Sequence, residues 1–139
     1  MSVNGRLCLS ATARQELMLQ AEIAYPFECA GILAGSLAAG TIVHAIALPA
    51  QVTPTSFIIN PLVYLHGEDT AHALGLEILG LFHSHPDAAP VPSAADLIGA
   101  AVVSPGAPFV FVIQQVVAGR ATHARCWRRV AAGFAEVSC

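Results

Sequence analysis

The chain has 139 residues, 55% hydrophobic and 11% charged, with a net charge of −3. That is enough apolar chain for one buried core and too little for two comfortable domains, and it excludes the polar composition of a disordered chain. Six basic residues, with Arg128-Arg129 the one adjacent pair, exclude a nucleic-acid surface, and no apolar run reaches the roughly 18 to 20 residues that cross a bilayer.

Residues 6–10 (RLCLS) read as a short strand. Ser10 or Thr12 then caps a helix in which Leu17, Ala21 and Ala24 recur at helical spacing, until Pro26 stops it. Residues 29–37 (CAGILAGSL) form an apolar strand, Ala39-Gly40 a turn, and 41–49 (TIVHAIALP) the returning strand of a hairpin. Glu28 falls between the helix end and the strand start. Residues 56–60 (SFIIN) are another short strand, and Pro61 opens a helix through 62–75 that Gly67 weakens.

Residues 76–85 (LEILGLFHSH) form an apolar strand that Pro86 breaks, and Ser93 to about Ala101 reads as a helix. Residues 108–117 (PFVFVIQQVV) are the clearest strand, and 121–130 (ATHARCWRRV) pair with them across a turn at Ala118-Gly119. The arginines of that last segment alternate with apolar residues, as on the solvated side of a strand. Helices interleaved with strands and an antiparallel finish predict a single mixed α/β domain over 1–139.

Cys8, Cys29, Cys126 and Cys139 are scattered with no C-x-x-C, and the first fifteen residues lack the apolar core of a leader. The expected setting is a reducing cytoplasm. Cys29 reads as a small buried hydrophobe and Cys139 as a mobile terminal residue.

The chemistry concentrates in residues 83–96, HSHPDAAPVPSAAD. Alternation along a strand points His83 and His85 to one face and Ser84 to the other. Two imidazoles on one face can share a metal ion, and catalytic zinc takes three protein ligands with water in its fourth position. Asp96, in the first turn of the following helix, is within reach of such an ion and is kept ionised by the helix dipole. Ser93 with Asp96 is also a variant of the capping box, which occurs in proteins that bind no metal. Ser84 either hydrogen-bonds behind the site, giving a ligand histidine its second partner, or fills the opposite face. His44, His66, His72 and His123 fit no ligand spacing.

Together, His83-Ser84-His85-Pro86, Ser93 and Asp96, with Glu28 upstream in YPFECAGILAG, resemble the JAMM motif of the JAB1/MPN/Mov34 metalloproteases. The resemblance extends over nearly the whole chain. It implies a single-domain MPN fold, a curved mixed sheet flanked by helices in a layer arrangement like that of cytidine deaminases. It further implies one zinc ion on His83, His85 and Asp96, with Glu28 as general acid and base and Ser93 holding the water or the oxyanion. The chain is similar to the compact prokaryotic branch. That similarity implies a zinc peptidase or isopeptidase cutting after the C-terminal Gly-Gly of a ubiquitin-like sulfur-carrier protein, with room for a homodimer and no membrane partner. A RadC-like member of the superfamily and a non-catalytic scaffold module are the alternative expectations.

Overall fold

The computed structural model describes residues 6–96 and 109–139. Along the chain run β1 (Cys8–Leu9), α1 (Ala11–Ala24), β2 (Ala30–Ser36), β3 (Thr41–Ala47), β4 (Gln51–Val52) and β5 (Phe57–Ile58). They are followed by α2 (Pro61–Ala73), β6 (Glu77–Pro86), β7 (Val110–Val117), β8 (Arg120–Val130) and β9 (Gly133–Val137). One mixed sheet takes the order β1-β3-β2-β6-β7-β8-β9, and β4 and β5 form a separate hairpin. The expected α/β class is present, as is the expected antiparallel pairing of β7 with β8, to which β9 adds a further antiparallel strand.

Each helix starts where its local chemistry allows. The Ser10 side chain accepts the Ala13 N–H at 3.0 Å, so α1 begins one residue later, and its stripe of Ala13, Leu17 and Ala21 is fully buried. Asn60 accepts the Leu62 N–H at 2.8 Å, and Pro61 occupies a first-turn position where its missing N–H costs nothing. Gly67 is expected to weaken α2, but its place is explained by packing: a Cβ there would stand 3.2 Å from the Ile32 side chain and 3.3 Å from Leu48. A glycine lets the helix lie that close to the sheet.

The sheet buries one apolar cluster on each face. Leu17, Leu33, Ile42, Phe82 and Val112 pack on the α1 side, while Ile32, Ala71, Leu81, Phe111, Ile113 and Trp127 pack on the α2 side. Full burial of each large side chain contributes about 1.5–3 kcal/mol, so the two clusters hold β6 rigidly from both faces. Gly31 and Gly80 sit where neighbouring strands approach closely: a Cβ on Gly31 would meet the Ile46 carbonyl, and one on Gly80 the Val110 carbonyl.

Several expectations are corrected. The two-residue β4 and the terminal β9 are strands that the sequence pattern does not announce. Cys139 is not a free, mobile end: it is disulfide-bonded to Cys126 of β8, and its carbonyl accepts a hydrogen bond from Arg14. Cys8 and Cys29 are free thiols. The helix expected from Ser93 is helical at 94–96, and its remainder to Ala101 lies outside the described residues. Among the described residues no helix is long and apolar enough to cross a membrane.

Candidate metal centre

β6 is antiparallel to β2 on one side and parallel to β7 on the other. Its side chains alternate, so Leu81 joins the cluster on the α2 face and Phe82 the cluster on the α1 face. His83 and His85 continue the α2 face. The chain then turns at Asp87, which adopts φ 54°, and returns to place Asp96 over the end of the strand.

Three side-chain atoms converge there. His83 Nε2 lies 3.2 Å and His85 Nε2 3.1 Å from Asp96 Oδ2, and the two nitrogens are 3.1 Å apart. Tetrahedral zinc with bonds of about 2.0–2.1 Å would separate its ligand atoms by roughly 3.3 Å, so the spacing fits a small divalent ion. The proton arrangement fits as well. His85 Nδ1 faces the Ala89 carbonyl at 2.8 Å, and because a carbonyl can only accept, Nδ1 carries the proton and Nε2 keeps its lone pair for a ligand bond. His83, His85 and Asp96 thus form a group that could hold a metal ion.

Asp96 is fixed by the capping box that the sequence contains. The Ser93 N–H donates to Asp96 Oδ2 at 2.9 Å, and the Asp96 N–H donates to Ser93 Oγ at 3.1 Å. The same cap that starts the helical turn therefore aims the carboxylate. Burial works against its charge, but hydrogen bonds from both histidines and from Ser93 hold its carboxyl well below the usual range. Burial draws His83 below its ordinary value. Burial also acts on His85, but hydrogen bonds to Asp96 and Ala89 outweigh it and leave the imidazole raised. A bound cation would displace that proton.

Glu28 reaches the centre through strand register. Ala30 pairs with His83, and the Ser84 N–H donates to the Cys29 carbonyl at 3.0 Å, so the antiparallel pairing carries Glu28 alongside His85. Glu28 is 3% exposed, and its Oε1 has no hydrogen-bond partner. Burial pushes the carboxyl up to about 7, with His85 opposing and Asp96 assisting the rise. The segment that carries it is tied on three sides. Its own N–H donates to Thr53 O at 3.0 Å, the Cys29 N–H to Ser84 Oγ at 2.8 Å, and the Tyr25 hydroxyl to Asp87 Oδ2 at 2.6 Å.

Ser84 therefore does bond behind the centre, but to the backbone of Cys29; the second partner of His85 is the Ala89 carbonyl instead. Cys29 itself is pushed up by burial, which leaves it a protonated, unreactive thiol. Of the other histidines, His44 lies 3.2 Å from Glu16, away from the centre. Sequence spacing gave no sign of Phe57, whose ring lies 4.7 Å from that of His83, or of the apolar cavity of roughly 550 Å³ beside His83 and Asp96. Tyr64, Leu81, Phe111 and Ile113 contribute to its walls.

Residues 10–130 match the family described as prokaryotic homologs of the JAB domain. Over 99 residues the chain is 30% identical to the desampylase of Haloferax volcanii, an alignment that covers 67% of this chain and 71% of that protein. The fold is similar to the solution structure of a protein from Desulfitobacterium hafniense, with a TM-score of 0.77 and 23% identity over 94% of this chain and 89% of that one. A Salinibacter ruber protein gives a TM-score of 0.70 at 20% identity, covering 95% and 89% of the two chains. A JAB1/MPN domain protein from Archaeoglobus fulgidus gives 0.60 at 20% identity, covering 96% and 94%. With a match that takes in both helices and the five central strands of the main sheet, the chain belongs to the JAB/MPN family, among its prokaryotic members.

Proposed function

We propose that residues 1–139 are a JAMM zinc metallopeptidase domain that hydrolyses the amide bond joining the C-terminal Gly-Gly of a ubiquitin-like sulfur-carrier protein to a conjugated group. The observation that carries this reading is the convergence of His83, His85 and Asp96 with a buried Glu28 carboxyl beside them. Similarity to a desampylase supports a ubiquitin-like conjugate as the substrate class. The cytoplasm is the proposed setting, with Cys8 and Cys29 free, and the Cys126–Cys139 disulfide is the feature that argues against a fully reducing compartment.

In this reading His83, His85 and Asp96 hold the ion. Zinc held there would lower the pKa of a coordinated water to about 7 and polarise the scissile carbonyl. Glu28 takes the proton of the attacking water and delivers it to the leaving nitrogen. Burial lifts its pKa to about 7, which suits a group that must accept a proton and then give it back near neutrality. Ser93, exposed at the rim of the centre, holds the water or the developing oxyanion. A non-catalytic scaffold would gain nothing from a carboxyl buried without a partner.

The test is to incubate the purified protein with carrier conjugates and weigh the products by mass spectrometry. Release of the conjugated group, abolished both by chelation and by Glu28→Gln, is the expected result. Release that survives both treatments overturns the assignment.

A further inference from the structure

The loop that follows β6 is held in a way that ligand spacing alone does not require. Three consecutive carbonyls are each taken by a side chain from a different strand. Gln115 Nε2 of β7 donates to Ala88 O at 3.1 Å, His85 Nδ1 of β6 to Ala89 O at 2.8 Å, and Trp127 Nε1 of β8 to Pro90 O at 3.1 Å. The outer two bonds span 27 and 37 residues of sequence, so they are tertiary fastenings and not part of a local turn.

Both outer donors are themselves braced. Gln115 Oε1 accepts the Thr122 hydroxyl at 2.7 Å, which turns the amide so that its NH2 faces the loop. The Arg125 guanidinium lies 5.1 Å from the centre of the Trp127 ring, and Glu136 clasps that guanidinium through bonds of 2.8 and 2.6 Å. Trp127 is 8% exposed, and its bond to Pro90 is buried, where a misplaced acceptor has no water to replace it. At the start of the loop, Asp87 Oδ1 accepts the Ala118 N–H at 2.8 Å.

The middle carbonyl is the one that matters chemically. Ala89 O keeps the proton of His85 on Nδ1 and so keeps the lone pair on Nε2; a peptide that rotated away would release both the tautomer and the ring. Holding the carbonyls on either side removes that freedom, and it also fixes the path of the chain toward Asp96.

We infer that Trp127 and Gln115 are positioning residues: by pinning the carbonyls of Pro90 and Ala88 they present Ala89 to His85 and set the affinity of the centre for its ion. The inference rests on the metal reading above but not on any substrate.

Zinc affinity measured by competition with a chromophoric chelator tests it before any peptide is added. Trp127→Phe keeps an aromatic ring and loses the indole N–H; it is expected to weaken zinc binding about tenfold or more. The visible ligand-field absorption of the cobalt(II)-substituted protein is expected to change with it, a signature that a purely structural role for Trp127 would leave alone. Phe134→Leu thins the same apolar cluster without touching a loop carbonyl, and its affinity is expected to stay close to that of the parent. Unchanged affinity in Trp127→Phe, or equal weakening in Phe134→Leu, overturns the inference. Should Trp127→Phe fail to fold, Gln115→Met is judged against the same control: weakening supports the inference and parental affinity overturns it. A parent protein that takes up no zinc brings down the metal reading as well, whereas a zinc-binding parent with an indifferent Trp127→Phe brings down only this inference.

Discussion

Ser84 and Cys29 exchange two hydrogen bonds at the end of the β2–β6 pairing: the Cys29 N–H donates to Ser84 Oγ at 2.8 Å, and the Ser84 N–H donates to Cys29 O at 3.0 Å. Ser84 is fully buried, so Ser84→Ala leaves the Cys29 N–H without its acceptor where water does not easily replace it. We expect a loss of about 1–3 kcal/mol in urea denaturation. Because Glu28 is the neighbour of Cys29, kcat should also fall while KM holds. A variant that loses stability but keeps full kcat would show that the tie serves folding alone.

Glu28 makes stability depend on pH in a defined direction. Its folded pKa is about 7 against an ordinary 4.5, so the native state binds the extra proton between those values. The linked stability is therefore complete below pH 4.5 and is lost as pH rises through 7. In metal-free protein, Glu28→Gln should be more stable than the parent at pH 8 by up to ~3 kcal/mol, and nearly equal to it at pH 4. Denaturation curves across that range, recorded with a chelator present, decide it; a difference that does not vary with pH counts against burial of the charge as the cause.

Zinc should stabilise the folded chain by mass action, by about 2.7 kcal/mol at a concentration one hundred times Kd. Asp96→Asn keeps the shape of the side chain but gives up the carboxylate held between His83 and His85. Its Tm should rise far less than that of the parent on adding zinc. Equal rises would remove Asp96 from the ligand set.

The Cys126–Cys139 bond closes a loop with a sequence separation of 13. Loop-closure entropy for that length corresponds to roughly 3 kcal/mol. Cys139→Ser, or a reductant, should lower Tm under otherwise oxidising conditions, and adding reductant to the variant should do nothing further. Zinc affinity should not follow, since the bond lies on the α1 side of the sheet, where Cys126 packs with Leu17 and Val112.

Much of the centre could be read from the sequence because its rules are local. Period-two alternation places His83 and His85 on one face, and the Ser93 and Asp96 cap reflects the preferences of a helix start. Glu28 was nominated by family resemblance; its approach to His85 depends on the register of β2 against β6, which no local pattern specifies. The fastening of the loop was out of reach for the same reason. Trp127 and Gln115 lie 37 and 27 residues from the carbonyls they hold, and each would pass as an ordinary strand residue. The pairing of Cys139 with Cys126 and the strand β9 between them escaped because a short terminal segment carries little periodicity of its own. Gly67 is a milder case: propensity marks it as a weak point in an expected helix, and close packing on Ile32 and Leu48 explains why a glycine stands there.

The register that brings Glu28 to His85 also separates two events in the life of the chain. The three candidate ligands lie within one short stretch, His83 to Asp96, whose ends can meet at little entropic cost. Glu28 is 55 residues upstream of His83 by the same count as Cys29 from Ser84, and it arrives only when β2 docks on β6. On the proposed reading, the spacing of the ligands is set within one segment of chain, whereas the position of the base depends on the docking of β2 against β6. Under the proposed function, metal content and hydrolysis would therefore be separate readouts, and a fully loaded preparation need not be a fully working one.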